Sequence, residues 1–426
     1  MQPTQPPRVN VAYVLRELGA PSETLIVDEM LSVLDAGCSL TVMARRESSS
    51  KIRHRSYSTV LERAQVLRSS VPERRRQCLA LLRWMLIDPL RCARVLWKAL
   101  RSEHRWIFAE TLEPALRARG LGVERFHAHF ADDNALYAAA MADWCAKPFG
   151  MTTHRYDIFT PPLRRSDLLA LLRRAAPLVT ISEFNRRWLV KEYGIGDDTI
   201  SLVRCGIDLE RFAFRFQPRT PSPASPELEL LTVGRLVPEK AYHVLLQAVA
   251  LLKSMGHRCR LKLVGDGPLG AALREQALQL ELERDVSFLG AQTSEDVLRL
   301  HRTAHVFVSS SSSEGLPVVC VEALALGTPA VATAITGVPE LIEHERTGLL
   351  VPPADPAALA TALARYADDE ALRHRVAHAG RQWVERHFDR GRCTADLIAC
   401  WEREQGRPPR RGGDAELSAP GRDPVR

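Results

Sequence analysis

Two short loops in the C-terminal half of the chain carry residues suited to bind phosphates and sugars. In the first loop, Gly234-Arg235 follows an apolar run, and Lys240 lies five residues after Arg235, at the predicted start of a helix. Ligands of open α/β sheets bind at the carboxyl ends of strands, and helix N-termini favour anions. An arginine and a lysine at this place could therefore clamp a diphosphate. They could equally be solvated loop charges, because short motifs recur by chance.

The second loop is rich in serine and leads into the run Glu314-Gly315-Leu316-Pro317, after which a predicted helix contains Glu322. Gly315 and Pro317 fit a tight loop that feeds a helix N-terminus. Glu314 and Glu322 could then face one cleft, the first on a sugar and the second on a ribose. Alternatively, Glu314 is a local cap and Glu322 is a surface residue of the helix.

Two histidines of the N-terminal half, in His127-Ala128-His129, could be read as metal ligands. On a strand, both side chains would face the same side. The sequence offers no evident third ligand, so we expect structural histidines here rather than a metal site.

The composition excludes several classes of protein. The chain has 426 residues, of which 46% are hydrophobic and 26% charged, which allows two or three domains of about 150 residues. No apolar run approaches the ~18 residues of a membrane helix, and the N-terminus lacks the pattern of a secretory signal. The nine cysteines include no CxxC pair, so neither a zinc site nor a disulfide framework is indicated. We expect a soluble, cytoplasmic protein.

Positive charge is concentrated in one segment. Residues 45–106 hold 16 Lys and Arg against five Asp and Glu, whereas the net charge of the whole chain is only +7. Arginines mixed with Trp84, Trp97 and Trp106 suit a helix on an anionic membrane surface, so we hypothesise that residues 74–106 dock there. Alternatively, the tryptophans are core and the arginines form a solvated face. Nucleic acid is a poorer explanation, since no known binding motif accompanies the charge.

Hydrophobic patterning predicts two series of alternating strands and helices. Residues 215–226 carry four prolines and no branched aliphatic residue, which is typical of a linker. Strands are predicted before the linker at 8–15, 40–43, 123–130, 149–153 and 178–181, and after it at 228–233, 260–264, 285–288, 305–308 and 329–332. Strands that alternate with helices form parallel sheets, so the predicted fold class is α/β, with two Rossmann-like domains facing across a cleft.

These patterns predict the following division of the chain: an N-terminal Rossmann-like domain at 1–214 with a basic insert at 45–106, a proline-rich linker at 215–226, a C-terminal Rossmann-like domain at 227–391, a last helix at 392–405, and a disordered tail at 406–426. Helices are also predicted at 22–34, with Gly37 as its stop, and at 357–368 and 370–387.

In this order, the motifs resemble those of the retaining nucleotide-sugar glycosyltransferases of family four, which have the two-domain GT-B fold. The resemblance covers most of the chain, and it is carried in the C-terminal half by GR-x4-K, EGLP with Glu-x7-Glu, and GVPE followed by TGLLV. In the N-terminal half, the segments GAPSETLIVDEM, HAHF, THRYDIF, TISEFN and VRCGIDLERF look like the exopolysaccharide branch, of which colanic-acid-type enzymes are the best known.

The resemblance implies a role for each matching residue. Arg235 and Lys240, after Gly234, would neutralise the departing diphosphate of the donor, and Glu322 would hold the ribose hydroxyls. Glu314, with the backbone of the residues after it, would hold the sugar hydroxyls. His154, in THRYD, matches the active-site histidine.

The resemblance also implies the partners. The substrates would be a UDP- or GDP-linked sugar and a glycan or lipid-linked glycan acceptor, bound by the N-terminal domain. The last helix would cross back onto that domain. We find no Asp-x-Asp, which fits catalysis without a metal or other cofactor. The protein would act in the cytoplasm, at the inner face of the membrane if residues 74–106 dock there.

Two positions depart from the family pattern. Ala241 stands where glycine is usual, which is tolerable at negative φ and otherwise costs up to about 1 kcal/mol. Arg155 stands where Gly or Ala is usual, and it brings a bulky cation to the donor pocket. Asp157 could orient His154 or cap the following turn. A non-catalytic nucleotide-sugar-binding or partner-binding module of the same fold is the alternative function; an oxidoreductase is disfavoured because no GxGxxG follows the first strand.

Overall fold

The computed structural model describes residues 8–18, 24–47, 56–68, 74–214 and 227–404. The predicted linker at 215–226 and the predicted tail at 406–426 lie outside these ranges. Two α/β units stand on either side of the linker, and each is built on one parallel sheet. The fold class expected from the alternating pattern is therefore confirmed.

The N-terminal unit is built on a sheet of seven parallel strands. They are β1 (Asn10–Leu18), β2 (Ser39–Glu47), β3 (Gln65–Arg68), β4 (Arg125–His129), β5 (Phe149–Thr153), β6 (Leu178–Thr180) and β7 (Ile200–Leu202). The spatial order is β3-β2-β1-β4-β5-β6-β7, so the order reverses between β1 and β4. Ligand sites of such sheets lie at the carboxyl ends of the strands beside this reversal.

Helices cover both faces of this sheet, as a parallel sheet requires. They are α1 (Thr24–Asp35), α2 (Ser56–Arg63), α3 (Arg74–Ile87), α4 (Pro89–Arg101), α5 (Arg105–Glu110), α6 (Leu112–Gly120), α7 (Asp133–Cys145), α8 (Tyr156–Phe159), α9 (Arg165–Arg174) and α10 (Glu183–Tyr193). β4 and β5 are buried along their whole length as a result. The predicted stop of α1 is confirmed, because Gly37 follows the helix with a φ of +82°, which glycine adopts without strain.

The C-terminal unit repeats this plan with six parallel strands. They are β8 (Leu228–Val233), β9 (Cys259–Val264), β10 (Val286–Gly290), β11 (Val306–Ser309), β12 (Ala330–Thr333) and β13 (Leu349–Val351). Their order is β10-β9-β8-β11-β12-β13. The reversal lies between β8 and β11, the strands that precede the two loops singled out in the sequence.

The helices of the second half are α11 (Tyr242–Ser254), α12 (Gly270–Gln279), α13 (Ser294–Thr303), α14 (Val318–Leu326), α15 (Val338–Leu341), α16 (Pro356–Asp368), α17 (Glu370–His387) and α18 (Arg390–Arg403). The last of them, α18, packs on the N-terminal unit. Leu397 and Trp401 join the core that contains Tyr13, and Arg8 Nε donates to Glu402 Oε1 at 2.5 Å. The chain therefore crosses between the two units a second time.

The described residues of the basic segment at 45–106 pack into the N-terminal unit. Its strand β3 pairs with β2 at the edge of the sheet. Trp84 is fully buried, and its Nε1 donates to the Leu112 carbonyl at 3.1 Å, so the core alternative is right for this tryptophan. Trp97 and Trp106 are 55% and 40% exposed. Within the described ranges, no helix has the length and apolar character to cross a bilayer.

Candidate active site

The first predicted loop lies at the carboxyl end of β8. Gly234 is closely packed there, because a Cβ would lie 2.7 Å from the Tyr242 hydroxyl and 3.1 Å from Lys240 Cε. The side chain of Arg235 is exposed and has no ion-pair partner in the part of the chain that the structure describes. Lys240 closes a 3-10 turn that directly precedes α11. The loop therefore brings both cations to the sheet edge where ligands bind.

Lys240 and Glu314 form an ion pair between the two predicted loops. The Lys240 Nζ lies 2.5 Å from Glu314 Oε1, and Ser311 Oγ donates to the same carboxylate oxygen at 2.7 Å. The backbones of the loops are also joined, since Ser310 Oγ donates to the Lys240 carbonyl at 2.9 Å and the Ser312 N–H donates to the Glu239 carbonyl at 2.8 Å. The two motifs therefore form one constellation.

Ala241, the first departure from the family pattern, has a left-handed backbone. Its φ is +46° and its ψ is +39° at the start of α11. A side chain in this region costs about 1 kcal/mol relative to glycine. The structure thus decides the question left open by the sequence: the alanine is strained, next to a residue of the constellation.

The run after Glu314 leads tightly into α14. Leu316 is buried, and Pro317 is the residue at which α14 is capped, with a φ of −72°. A Cβ on Gly315 would lie 3.0 Å from Cβ of Arg155, so glycine allows the two domains to approach here. The predicted loop geometry is confirmed, with Pro317 immediately before the helix.

Glu322 lies on α14, and its side chain makes no hydrogen bond to another described residue. Burial raises the pKa of Glu322 to about 7, Arg211 opposes this rise, and Asp28 adds to it. Asp28 belongs to α1, so Glu322 lies within electrostatic range of a carboxylate of the other unit. Its carboxyl oxygens are available to a ligand hydroxyl. They do not contact Glu314.

His154 lies directly after β5, at the carboxyl end of the N-terminal sheet. Its backbone N–H donates to Asp157 Oδ1 at 2.9 Å, and the Ala131 N–H donates to Asp157 Oδ2 at 2.8 Å. Asp157 therefore holds the backbone at His154 and joins it to the loop after β4, whereas α8 has no side-chain cap. Burial, helped by the neighbouring His129, lowers the pKa of His154 to about 3. Its imidazole is therefore neutral at physiological pH.

Arg155, the second departure, reaches across the cleft. Its Nε donates to Ser313 Oγ, in the loop before Glu314, at 2.8 Å. Ser313 is the only described residue to which its side chain makes a hydrogen bond. The guanidinium therefore touches the loop that contains Glu314 while its remaining N–H groups are free to bind a ligand.

A half-buried carboxylate, that of Glu29, is linked to His154 through His129. His129 Nδ1 lies 3.1 Å from His154 Nε2, and His129 Nε2 lies 3.0 Å from Glu29 Oε1. The Tyr13 hydroxyl donates to the same carboxylate oxygen at 2.6 Å. Sequence reasoning missed Glu29, because it lies on α1, 100 positions before His129, and no local spacing connects the two.

Glu29 also supplies the third ligand that a metal reading of the two histidines lacked. Possible ligand atoms of Glu29, His127 and His129 lie within 4.8 Å of one another. However, His127 Nε2 is 2.9 Å from Thr152 Oγ1, and Trp401 Nε1 donates to His127 Nδ1 at 3.4 Å. Both nitrogens of His127 are therefore engaged with protein atoms. The contacts favour the structural role expected for His127 over a metal ligand.

A second cross-domain contact involves the GVPE motif. The carboxylate of Glu340 accepts from the N–H groups of Glu183 at 2.9 Å and Phe184 at 2.7 Å, which are the first residues of α10. A carboxylate at a helix N-terminus is favourable because it pairs with unsatisfied N–H groups and with the helix dipole. Arg204 lies 3.5 Å from the same carboxylate. The C-terminal unit thus caps a helix of the N-terminal unit.

Two family models match adjacent parts of this chain. Residues 34–211 match the family described as glycosyltransferase family 4. Residues 214–383 match the family described as glycosyl transferases group 1. The two ranges together contain every residue predicted for the site.

Curated relatives agree with these family matches. The glycosyltransferase WcaL of Escherichia coli strain K12, which is named for colanic acid biosynthesis, is 26% identical over 92% of this chain and 99% of its own. The amylovoran biosynthesis glycosyltransferase AmsK of Erwinia amylovora is 32% identical over 51% of this chain and 55% of its own. The first of these matches extends over both units.

The fold matches solved structures. Anabaena HepE, in complex with UDP and glucose, aligns with a TM-score of 0.67 at 18% identity, over 93% of this chain and 100% of that chain. At this identity the likeness concerns the fold, which is that of two Rossmann-like domains facing across a cleft.

Proposed function

We propose that this chain is a glycosyltransferase that moves a sugar from a nucleotide-sugar donor to a glycan acceptor in exopolysaccharide biosynthesis. The matches to two glycosyltransferase families and the fold of two Rossmann-like domains support this proposal. Relatives named for colanic acid and amylovoran biosynthesis support the pathway. The observation that carries the proposal is the constellation at the carboxyl ends of β8 and β11, where Lys240 pairs with Glu314 beside the exposed Arg235.

Arg235 and Lys240 stabilise the departing nucleoside diphosphate. When the bond between the sugar and the phosphate breaks, negative charge develops on the leaving group. Preorganised cations and helix dipoles stabilise such charge. Lys240 is held by Glu314 and lies just before α11, so both its position and the helix behind it suit this role. Because two side chains supply the positive charge, we propose that transfer requires no metal ion.

The carboxylates and the histidine bind the rest of the donor. Glu322 accepts hydrogen bonds from the ribose hydroxyls, which its unpaired oxygens allow. Glu314 and the backbone of Gly315, Leu316 and Pro317 contact the sugar hydroxyls. His154 approaches the same sugar from the N-terminal unit. The donor is UDP- or GDP-linked, and HepE, which has this fold, is described with UDP bound.

We also propose that the reaction retains the configuration of the donor sugar, as the match to family 4 suggests. The assay that tests the whole proposal supplies the purified chain with UDP- and GDP-hexoses and with extracted lipid-linked oligosaccharides. We expect acceptor-dependent release of one nucleotide, unchanged by EDTA, and a product with the anomeric configuration of the donor by NMR. Release without any dependence on acceptor would contradict transfer, and an inverted product would contradict retention.

The acceptor is proposed to be lipid-linked, because one face of α3 and α4 suits an anionic bilayer. Large apolar side chains project from it, with Leu86 85% and Leu100 79% exposed. Exposed apolar clusters of this kind mark interaction sites. The same two helices expose arginines, which would pair with anionic headgroups; these are Arg75, Arg76, Arg83, Arg94 and Arg101. We propose peripheral binding to the inner face of the cytoplasmic membrane.

Sedimentation with vesicles tests this surface. We expect the chain to bind vesicles that contain phosphatidylglycerol and not vesicles of phosphatidylcholine alone. Replacing Leu86, Leu90 and Leu100 by serine should abolish binding. The matched control is Leu278→Ser, since this leucine is 52% exposed on the other unit and should leave binding unchanged. Equal binding of the triple variant and the wild type would overturn the assignment.

A further inference from the structure

Three side chains form a continuous series of hydrogen bonds that begins at the half-buried Glu29 and ends at His154. Glu29 comes from α1, His129 from the end of β4, and His154 from the position after β5. The two links measure 3.0 Å from Glu29 to His129 and 3.1 Å from His129 to His154. Both histidines are at least nine-tenths buried. Their proton positions are therefore decided by one another rather than by water.

The direction of these hydrogen bonds follows from the carboxylate. Burial acts to raise the pKa of Glu29, but the imidazole of His129 and the Tyr13 hydroxyl outweigh it, so its pKa is below the ordinary value. An ionised carboxylate only accepts hydrogen bonds, so His129 Nε2 carries a proton. When His129 is neutral, its other nitrogen is an acceptor. His129 Nδ1 therefore accepts, and His154 Nε2 donates to it.

This order leaves a lone pair on the second nitrogen of His154. His154 Nδ1 makes no hydrogen bond to a described residue, so it is the atom that a ligand in the cleft would meet. We propose that Glu29, acting through His129, is a positioning residue that keeps the proton of His154 on Nε2 and so presents Nδ1 as an acceptor for a sugar hydroxyl. This inference rests on the proposed function, because it requires a sugar beside His154.

The arrangement has a consequence for the ligand. A hydroxyl group can donate to Nδ1, whereas a carboxylate or a methyl group at the same position cannot. If the proton were on Nδ1 instead, the histidine would favour acceptor groups. The neighbouring groups do not set the direction of these hydrogen bonds. The Tyr13 hydroxyl adds a donor to Glu29, and Asp157 bonds to the backbone N–H of His154 rather than to its ring. The carboxylate of Glu29 is therefore the group that sets the direction.

The proton positions can be read by NMR from the whole chain labelled with ¹⁵N-histidine. The measurement is made at pH 8, where an imidazole of ordinary pKa, about 6.5, is neutral. Two-bond ¹H–¹⁵N spectra distinguish the tautomers, and the spectrum of His154→Gln identifies the signals that belong to His154. We expect a protonated Nε2 and an unprotonated Nδ1. A proton on Nδ1 in the wild type would overturn the proposal.

Two variants test whether Glu29 is responsible. Glu29→Leu should replace the single His154 tautomer by a mixture and lower acceptor-dependent nucleotide release about tenfold, the effect of one lost hydrogen bond. If the leucine variant unfolds, Glu29→Gln replaces it in the test, and it is expected to weaken the preference for one His154 tautomer to a smaller extent. Tyr13→Phe is the matched control, since it removes a donor to Glu29 and should keep the tautomer. An unchanged tautomer in folded Glu29→Leu would reject the proposal.

The spectra need no nucleotide sugar, so this result is separable from the proposed function. If the protein shows the expected tautomers but releases no nucleotide from any donor, the proposed function alone is refuted. A chain that transfers sugar at the wild-type rate with Glu29→Leu would refute the positioning role alone.

Discussion

The ammonium of Lys240 lies 2.5 Å from the carboxylate of Glu314, although the two residues belong to separate loops at the ends of β8 and β11. Glu314 thereby fixes the position of a cation that is proposed to meet the donor diphosphate. Ser311 Oγ donates to the same carboxylate oxygen. Because the two side chains are paired, the contribution of each residue to transfer depends on the presence of the other.

Loss of either partner should therefore reduce transfer strongly. Lys240→Ala and Glu314→Gln are each expected to lower kcat/KM about 10²–10³-fold, the range seen when one transition-state contact is removed. Because the residues act as a unit, the double variant should lose far less than the product of the two losses. Initial rates measure this, with circular dichroism to show that each variant is folded. Multiplicative losses would show that the pair does not act as a unit.

Ala241→Gly should stabilise the protein. Since Ala241 has a φ of +46°, glycine relieves a strain of about 1 kcal/mol, and the free energy of unfolding should rise by up to that amount. The control is Ala250→Gly, within α11, which should lower the free energy of unfolding by about 1 kcal/mol. Denaturant titration measures both. A loss of stability in Ala241→Gly would mean that the alanine side chain contributes packing that outweighs the strain.

Glu322→Gln should stabilise the protein above neutral pH and not in acid. The pKa of Glu322 is raised to about 7 in the folded state, whereas a carboxyl of the unfolded chain titrates near 4.3. The wild type therefore loses stability as the pH rises from about 4 through 7. At pH 8 the variant should be more stable by about 1–3 kcal/mol, with no difference at pH 4. The exposed Glu283→Gln should show no such dependence; an equal gain at both pH values in Glu322→Gln would contradict the raised pKa.

His301→Leu should stabilise the protein most at acidic pH. His301 is 1% exposed, and neither ring nitrogen has a hydrogen-bond partner among the described residues. Burial lowers its pKa to about 3, whereas the unfolded chain takes up the proton near pH 6.5. The wild type consequently loses stability as the pH falls below about 6.5.

The leucine variant should gain about 1–3 kcal/mol at pH 8, from removal of an unpaired buried polar group. At pH 5 it should gain about 2 kcal/mol more. Thermal unfolding at the two pH values measures the difference. The exposed His243→Leu is the control and should change stability little at either pH. A gain for His301→Leu that is the same at both values would show that His301 takes up its proton in the folded state.

The proximity of Arg235, Lys240 and Glu314 was predictable because Arg235 and Lys240 follow one strand of the sheet and Glu314 follows another. In a parallel sheet the carboxyl ends meet at one edge, so Arg235, Lys240 and Glu314 could be placed together from their positions alone. The backbone conformation of Ala241 could not be predicted, because the sequence Lys240-Ala241 is compatible with a positive or a negative φ. The structure was needed to show that the alanine is strained.

Other features left no local signal. Glu29 reaches His129 only because the fold brings α1 near the end of β4, and no periodicity records that proximity. β3, β7 and β13 have four, three and three residues, which is too short for an alternating pattern to appear. The contact of Glu340 with α10 depends on how the two units face each other, which neither unit's sequence specifies.

Calorimetric titration with UDP, GDP and ADP tests the central claim most directly, with the wild type and Glu322→Ala compared under the same conditions. We predict micromolar binding of one of UDP or GDP by the wild type and its loss in the folded variant, because the ribose contact is removed while the rest of the cleft remains. Failure of the folded wild type to bind any of the three nucleotides would contradict the account and favour a non-catalytic, partner-binding module of the same fold.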